Sequence, residues 1–140
     1  MERIVVGIDG SDGSRAALRW AIEEAKLRGA TVEAVSAFHV PYAGSASVMP
    51  LMLDPAEFEA SARAVLDKVI DEVAPSAAIT GIVVEGPAST VLVEASRRAS
   101  MLVVGARGHG GLAGMLLGSV SRQVTEHAVV PVVVVPRERS

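Results

Sequence analysis

The 140 residues are 50% hydrophobic but only 3% aromatic, and thirteen Lys and Arg stand against sixteen Asp and Glu for a net charge of −3. One Trp, one Tyr, two Phe and no basic run longer than Arg97-Arg98 exclude both a cationic nucleic-acid surface and an aromatic platform for single strands. With no Cys there is neither a disulfide framework nor thiolate chemistry.

Mean hydropathy is +0.42, yet no apolar run approaches the roughly 20 residues of a membrane-spanning helix. The start, MERIVVGIDG, reaches an Asp too early for a secretory signal. A single cytoplasmic domain over residues 1–140 that binds no membrane is therefore expected.

Residues 3–8, RIVVGI, form a β-branched run that ends at Asp9-Gly10-Ser11, which predicts a strand with a polar loop at its carboxyl end. From Ser14 the residues Ala17, Leu18, Ala21, Ile22 and Ala25 recur at helical spacing, with Gly29 as C-terminal cap. Residues 31–38 predict a second strand, and the stretch 39–53, rich in Pro, Gly and Ser around Met49, Leu51 and Met52, is long for a connection. It reads as a segment folded back on its own core, or as a lid or partner surface.

Asp54-Pro55-Ala56-Glu57 has the pattern of a capping box, followed by a stripe of Phe58, Ala62, Val65, Leu66, Val69, Ile70 and Val73. Strands are predicted over 78–84, 101–104 and 131–135. Between them lie a helix from Gly86-Pro87 to about Arg98 and a helix over 119–128. Strands alternating with helices imply a parallel sheet covered on both faces. Ligands in such sheets sit beyond the carboxyl ends of the strands.

Two loops qualify: Asp9-Gly10-Ser11 and the stretch GARGHGGLAGMLLGS at 105–119, which holds six glycines in fifteen positions. GHGGLA at 108–113 matches G-x-G-x-x-G/A, but it follows the fourth strand and no acidic residue ends the next one, so the dinucleotide fingerprint fails. The phosphate loop G-x-x-x-x-G-K-[ST] fails too, because residues 101–140 contain no Lys. What remains is Gly118-Ser119 directly before a helix, where backbone N–H groups and a hydroxyl suit an anion.

The spacing Gly105-x2-Gly108-x9-Gly118-Ser119 resembles that of ATP-binding universal stress proteins. The likeness extends to the Val-Gly-Ile-Asp-Gly-Ser start, the LVVG strand, the LLGSVS segment and the closing PVVVVP strand. The resemblance implies an α/β, Rossmann-like open five-stranded parallel sheet of order 3-2-1-4-5, holding ATP at the carboxyl ends of its first and fourth strands. It implies Asp9, with Gly10 and Ser11, at the adenosine, and the backbone near Ala37 beside the adenine. Gly105 and Gly108 would approach ribose and phosphates, with Arg107 and His109 within reach of them. Gly118, Ser119, Val120 and Ser121 would supply donors to the phosphate chain.

Ala106 and Ser100 depart from the Ser and Asp of many relatives without altering that spacing. Plainer readings stand beside these: Asp9 as a turn cap, Ser119 as an ordinary helix N-cap, and Gly111 and Gly114 as hinge residues of the loop. Phosphate oxygens could supply most ligands of an accompanying Mg ion. His39, His109 and His127 lack metal-ligand spacing, so no protein-bound transition metal is expected.

In the implied order the last strand is an edge, apolar and uncharged over 131–135, which invites pairing with a second copy; the resemblance also implies homodimers. Phosphoryl transfer needs an aligned nucleophile, a base and a cationic group, and no such set is visible. A nucleotide-responsive stress or regulatory protein with no catalytic residues is expected, slow ATP hydrolysis being incidental. The alternatives are a non-nucleotide dimeric interaction module of the same fold and a slow ATP-hydrolysing or adenylating enzyme. An adenylating enzyme would carry S-G-G-x-D-S where this chain has Asp9-Gly10-Ser11-Asp12-Gly13-Ser14.

Overall fold

In strand β1 (Arg3–Gly7), Ile4 and Val6 point to one face of a sheet and Val5 to the other, and all three are fully buried. That two-sided burial is the signature of a central parallel strand, and it explains the uninterrupted apolar run. The computed structural model describes residues 2–40, 54–75, 77–107 and 117–136. Met49, Leu51, Met52, Gly108, His109, Gly111 and Gly114, for which loop or ligand roles are expected, lie outside them.

After β1 come α1 (Asp12–Arg28), β2 (Thr31–Phe38), α2 (Pro55–Val73), β3 (Ile79–Glu85), α3 (Ala88–Ser96), β4 (Met101–Gly105), α4 (Ser119–His127) and β5 (Val132–Val135). The strands form one sheet of order β3-β2-β1-β4-β5, parallel throughout, as expected. Register is set in the centre by Ile4 opposite Val32 on one side and Met101 on the other.

Helices α1 and α2 cover one face, where Ala17, Leu18, Ala21, Leu66 and Val69 pack on Ile4, Val6, Val32 and Val103. The opposite face carries α3 and α4, whose Val91, Leu92 and Val124 pack on Val5, Val35, Leu102 and Val104. Small alanines on α1 bring its axis close to the sheet, so aliphatic side chains fill the core without aromatics.

The element ends differ from the expected ones for local reasons. Helix α1 starts at Asp12 rather than Ser14, because Ser11 is its N-cap and accepts the Ser14 N–H at 3.2 Å. Asp54 caps α2 through the Ala56 N–H at 3.0 Å, one residue earlier than in a capping box. Val65 of the expected stripe is 43% exposed, since α2 lies at the β2-β3 side of the sheet and only its Leu66 and Val69 positions are fully enclosed. Helix α3 begins after Pro87 and ends at Ser96, two residues short of Arg98. Gly29 closes α1 at φ +66, as expected of a left-handed cap.

Gly13 and Gly105 mark a close approach of α1 to the carboxyl end of β4. A Cβ on Gly105 would lie 2.7 Å from both the carbonyl carbon and the oxygen of Gly13, and one on Gly13 would overlap the carbonyl oxygen of Arg107. The first turn of α1 thus lies backbone to backbone on the end of β4.

Helix propensity alone favours Ala over Gly by about 1 kcal/mol, so a Gly13→Ala variant reads out the contact by its sign. It is expected to lose about 1–3 kcal/mol in urea denaturation, the usual cost of overpacking. A variant as stable as the parent or more so would contradict the close approach.

Candidate functional site

Beyond the carboxyl ends of β1 and β4 two loops meet, each leading into a helix N-terminus. In the first, Gly10 has φ +86, a conformation that β-carbon sterics disfavour in other residues. This turn lets the Asp9 carboxylate fold back, where its Oδ1 accepts the Ser11 N–H at 2.9 Å and also the Ser11 hydroxyl. Ser11 in turn accepts the Ser14 N–H, so its side chain is committed to the cap. Asp9 itself remains exposed at the rim.

The second loop is tied at its two ends. The Ala106 N–H extends the β4-β5 ladder to Val135 O at 2.8 Å, and the Ala106 carbonyl accepts the Gly118 N–H at 2.7 Å and the Ser121 hydroxyl at 2.8 Å. Ser121 is 3% exposed, and its hydroxyl also lies 3.1 Å from Gly118 O. The Gly118 N–H and the Ser121 hydroxyl thus tie the two ends of the loop together through one carbonyl. Ser119 is the first helical residue rather than the N-cap, a position held by Gly118.

What is left for an anion is the helix end itself. Arg122 N–H is the first in α4 to find an acceptor one turn back, on Gly118 O at 3.1 Å. The N–H groups of Ser119, Val120 and Ser121 have no acceptor within the helix, and the macrodipole adds positive potential there. Gly118 has φ −76 and ψ 175, which any residue adopts, so its missing side chain is not a backbone requirement. For Gly105 the contact with Gly13 supplies a structural reason of its own.

Ala37 lies near the end of β2, opposite Val84 of β3, and its methyl packs on the α3 face. The buried Ser36 donates its hydroxyl to Ile8 O at 2.8 Å, joining β2 to the residue just before Asp9. Arg107 is described at the exit of β4 and is half-buried.

Two residues escaped the sequence reading. Gly13 left a signal, since a glycine in the first turn of a helix asks for a close approach. Arg15 left none: its guanidinium donates from Nη1 to the Gly10 carbonyl and from Nε to Glu72 Oε2 at 2.8 Å. That hydrogen bond, with the nearby charges of Arg15, Lys68 and Arg19, holds the Glu72 carboxyl below the usual carboxylate range. Among the described residues no group of three or more His, Asp or Glu could hold a metal ion, and no helix is long and apolar enough to cross a membrane.

Residues 1–136 match the model of the Universal stress protein family. The chain belongs to that family. It is 35% identical over 153 aligned residues to Universal stress protein Mb2019 of Mycobacterium bovis, a match that takes in 96% of this chain and 48% of the relative. This universal stress protein thus spans about half the length of the curated relatives it matches. Among solved structures it resembles a universal stress protein in complex with cAMP, at 28% identity and TM-score 0.73 with 98% of each chain covered. It also resembles one from Archaeoglobus fulgidus in complex with dAMP, at 25% identity and TM-score 0.58, covering 96% of this chain and 97% of the other.

The cap geometry sets a stability expectation. Ser11→Ala removes the acceptor of the Ser14 N–H and one of the donors to Asp9, and should cost about 1 kcal/mol in thermal or urea unfolding. An unchanged unfolding midpoint would contradict the assignment of Ser11 as the α1 cap.

Proposed function

We propose that this protein binds ATP between the Asp9-Gly10-Ser11 turn and the N-terminus of α4, and that partners read its nucleotide state. The observation that carries this reading is the row of N–H groups of Ser119, Val120 and Ser121 beside a glycine whose backbone does not need to be glycine. A phosphate can lie against Gly118 and collect those donors, whereas a β-branched side chain would stand in its way.

The other end has the opposite polarity. A carboxylate at Asp9 repels phosphate and accepts hydrogen bonds from ribose hydroxyls, so the charges of the site orient a nucleotide with its sugar toward β1 and its phosphates toward α4. The backbone near Ala37 is the proposed adenine wall, and Gly105, Gly108, Arg107 and His109 the proposed neighbours of ribose and phosphates. The adenine nucleotides carried by two of its structural relatives support the ligand class. A bound ATP would bring its own oxygens to a Mg ion, with the protein holding the phosphates rather than the metal.

A catalytic role is not proposed, because the α4 donors bind charge without offering a nucleophile or base. A regulatory protein of the stress response in the cytoplasm is the role proposed for the chain. The edge strand β5, Val132–Val135, is apolar and half-buried on both faces and carries no charge to deter pairing. Dimers formed through residues 131–135 complete the proposal.

Calorimetric titration of nucleotide-stripped protein should give saturable ATP binding at one site per chain, with AMP competing. A folded Gly118→Val protein should bind ATP at least about tenfold more weakly, the loss of roughly one good charge-assisted contact. Unchanged affinity in that variant would remove the cradle, and no binding at millimolar ATP would leave the interaction-module reading. Sedimentation should show a dimer, and a monomer at high concentration would refute pairing through β5.

A further inference from the structure

Arg15 is the fourth residue after the Ser11 cap, and its backbone N–H closes the first turn of α1 on Ser11 O at 3.2 Å. Its side chain doubles back past that cap. One Nη donates to the Gly10 carbonyl, while Nε meets Glu72 Oε2 at 2.8 Å, near the end of α2. The Arg15 side chain is only 19% exposed, whereas that of Glu72 is 42% exposed. Glu72 is shared with Lys68, 4.0 Å away on the preceding turn of α2.

The carbonyl that Arg15 holds belongs to the one residue of the loop with φ in the left-handed region, Gly10. Its two neighbours are pinned from the other side, because Asp9 accepts both donors of Ser11. The turn is thus gripped by its own carboxylate within the loop and by a guanidinium from the helix below. A planar guanidinium presents several donors in fixed directions, so it can hold a carbonyl and a carboxylate at once. A lysine ammonium at the same position reaches a single point.

We propose that Arg15 is a positioning residue for the nucleoside end of the site, bridging the Gly10 carbonyl and Glu72 so that Asp9 stands in the orientation that meets ribose. The proposal rests on the nucleotide-binding reading above and assigns Arg15 no contact with ligand. It separates the two ends of the site: Arg15 acts on the turn after β1, and the α4 N-terminus is anchored independently through Ala106. Disturbing Arg15 therefore affects sugar recognition and leaves phosphate recognition in place.

Arg15→Gln, Arg15→Lys and Glu72→Gln, each checked for folding by circular dichroism and thermal unfolding, should be titrated with adenosine, ATP and inorganic tripolyphosphate. Arg15→Gln should weaken adenosine and ATP by about tenfold while tripolyphosphate stays within about twofold of the parent. Glu72→Gln, which keeps the Gly10 contact but frees the guanidinium, should weaken adenosine by about threefold, and its difference from the parent should vanish at high salt. Arg15→Lys should recover only part of the loss.

Equal losses of adenosine and tripolyphosphate would make Arg15 a general structural residue and overturn the proposal. So would adenosine binding within about twofold of the parent in both Arg15→Gln and Glu72→Gln, or complete recovery in Arg15→Lys, which would assign the effect to charge alone. A parent protein that binds neither adenosine nor ATP would overturn the nucleotide reading itself. That outcome is distinct from a parent that binds both and variants that bind as well as it does.

Discussion

The contact between Gly13 and Gly105 is the constraint on which the site depends. Gly13 and Gly105 let the first turn of α1 lie against the end of β4, since a Cβ on Gly105 would run into the Gly13 backbone and one on Gly13 into the Arg107 carbonyl. Because β4 continues through Ala106 into the loop before α4, this contact brings the beginnings of two helices to the same end of the same strand. The sheet order β3-β2-β1-β4-β5 makes that end the place where the chain's progression reverses, the usual location of ligand sites in open α/β sheets. Here the topological rule has a local cause in atoms: two missing side chains.

The hydrogen bonds around the site divide into those that build it and those left over. Ser11, Ser36, Ser121 and the Gly118 N–H are all engaged in holding loops to strands or caps to helices. Buried hydroxyls of this kind act as fixed struts, because leaving any of them unpaired would cost more than the bond contributes. The groups that remain by helix geometry are the N–H donors of α4's first turn.

Much of this was legible in the sequence. Short β-branched and continuous apolar runs identified all five strands, and their alternation with helices gave the parallel sheet. Element ends were less legible, as at α1, whose helical spacing was counted from Ser14 but which starts at Asp12 behind a Ser11 cap that hydrogen-bonds Asp9. Side-chain partners at the site were not legible. At the motif serine and glycine the hydrogen bonds show a structural task that spacing does not reveal: the Ser121 hydroxyl and the Gly118 N–H both bond the Ala106 carbonyl. Motif spacing marks where a backbone must be, and it does not distinguish a strut from a ligand contact. Arg15 was invisible for a related reason: its partners, Gly10 and Glu72, are 5 and 57 positions away, and no periodicity links them.

The central claim is that a nucleotide spans the turn after β1 and the start of α4. Amide chemical shifts of isotopically labelled protein, followed through a titration with ATP, test it most directly. The account predicts saturable shifts with one common affinity at Gly10 and at Ser119, Val120 and Ser121, while the β3 edge stays unperturbed. Shifts confined to one of the two loops, or centred elsewhere on the sheet, would contradict it.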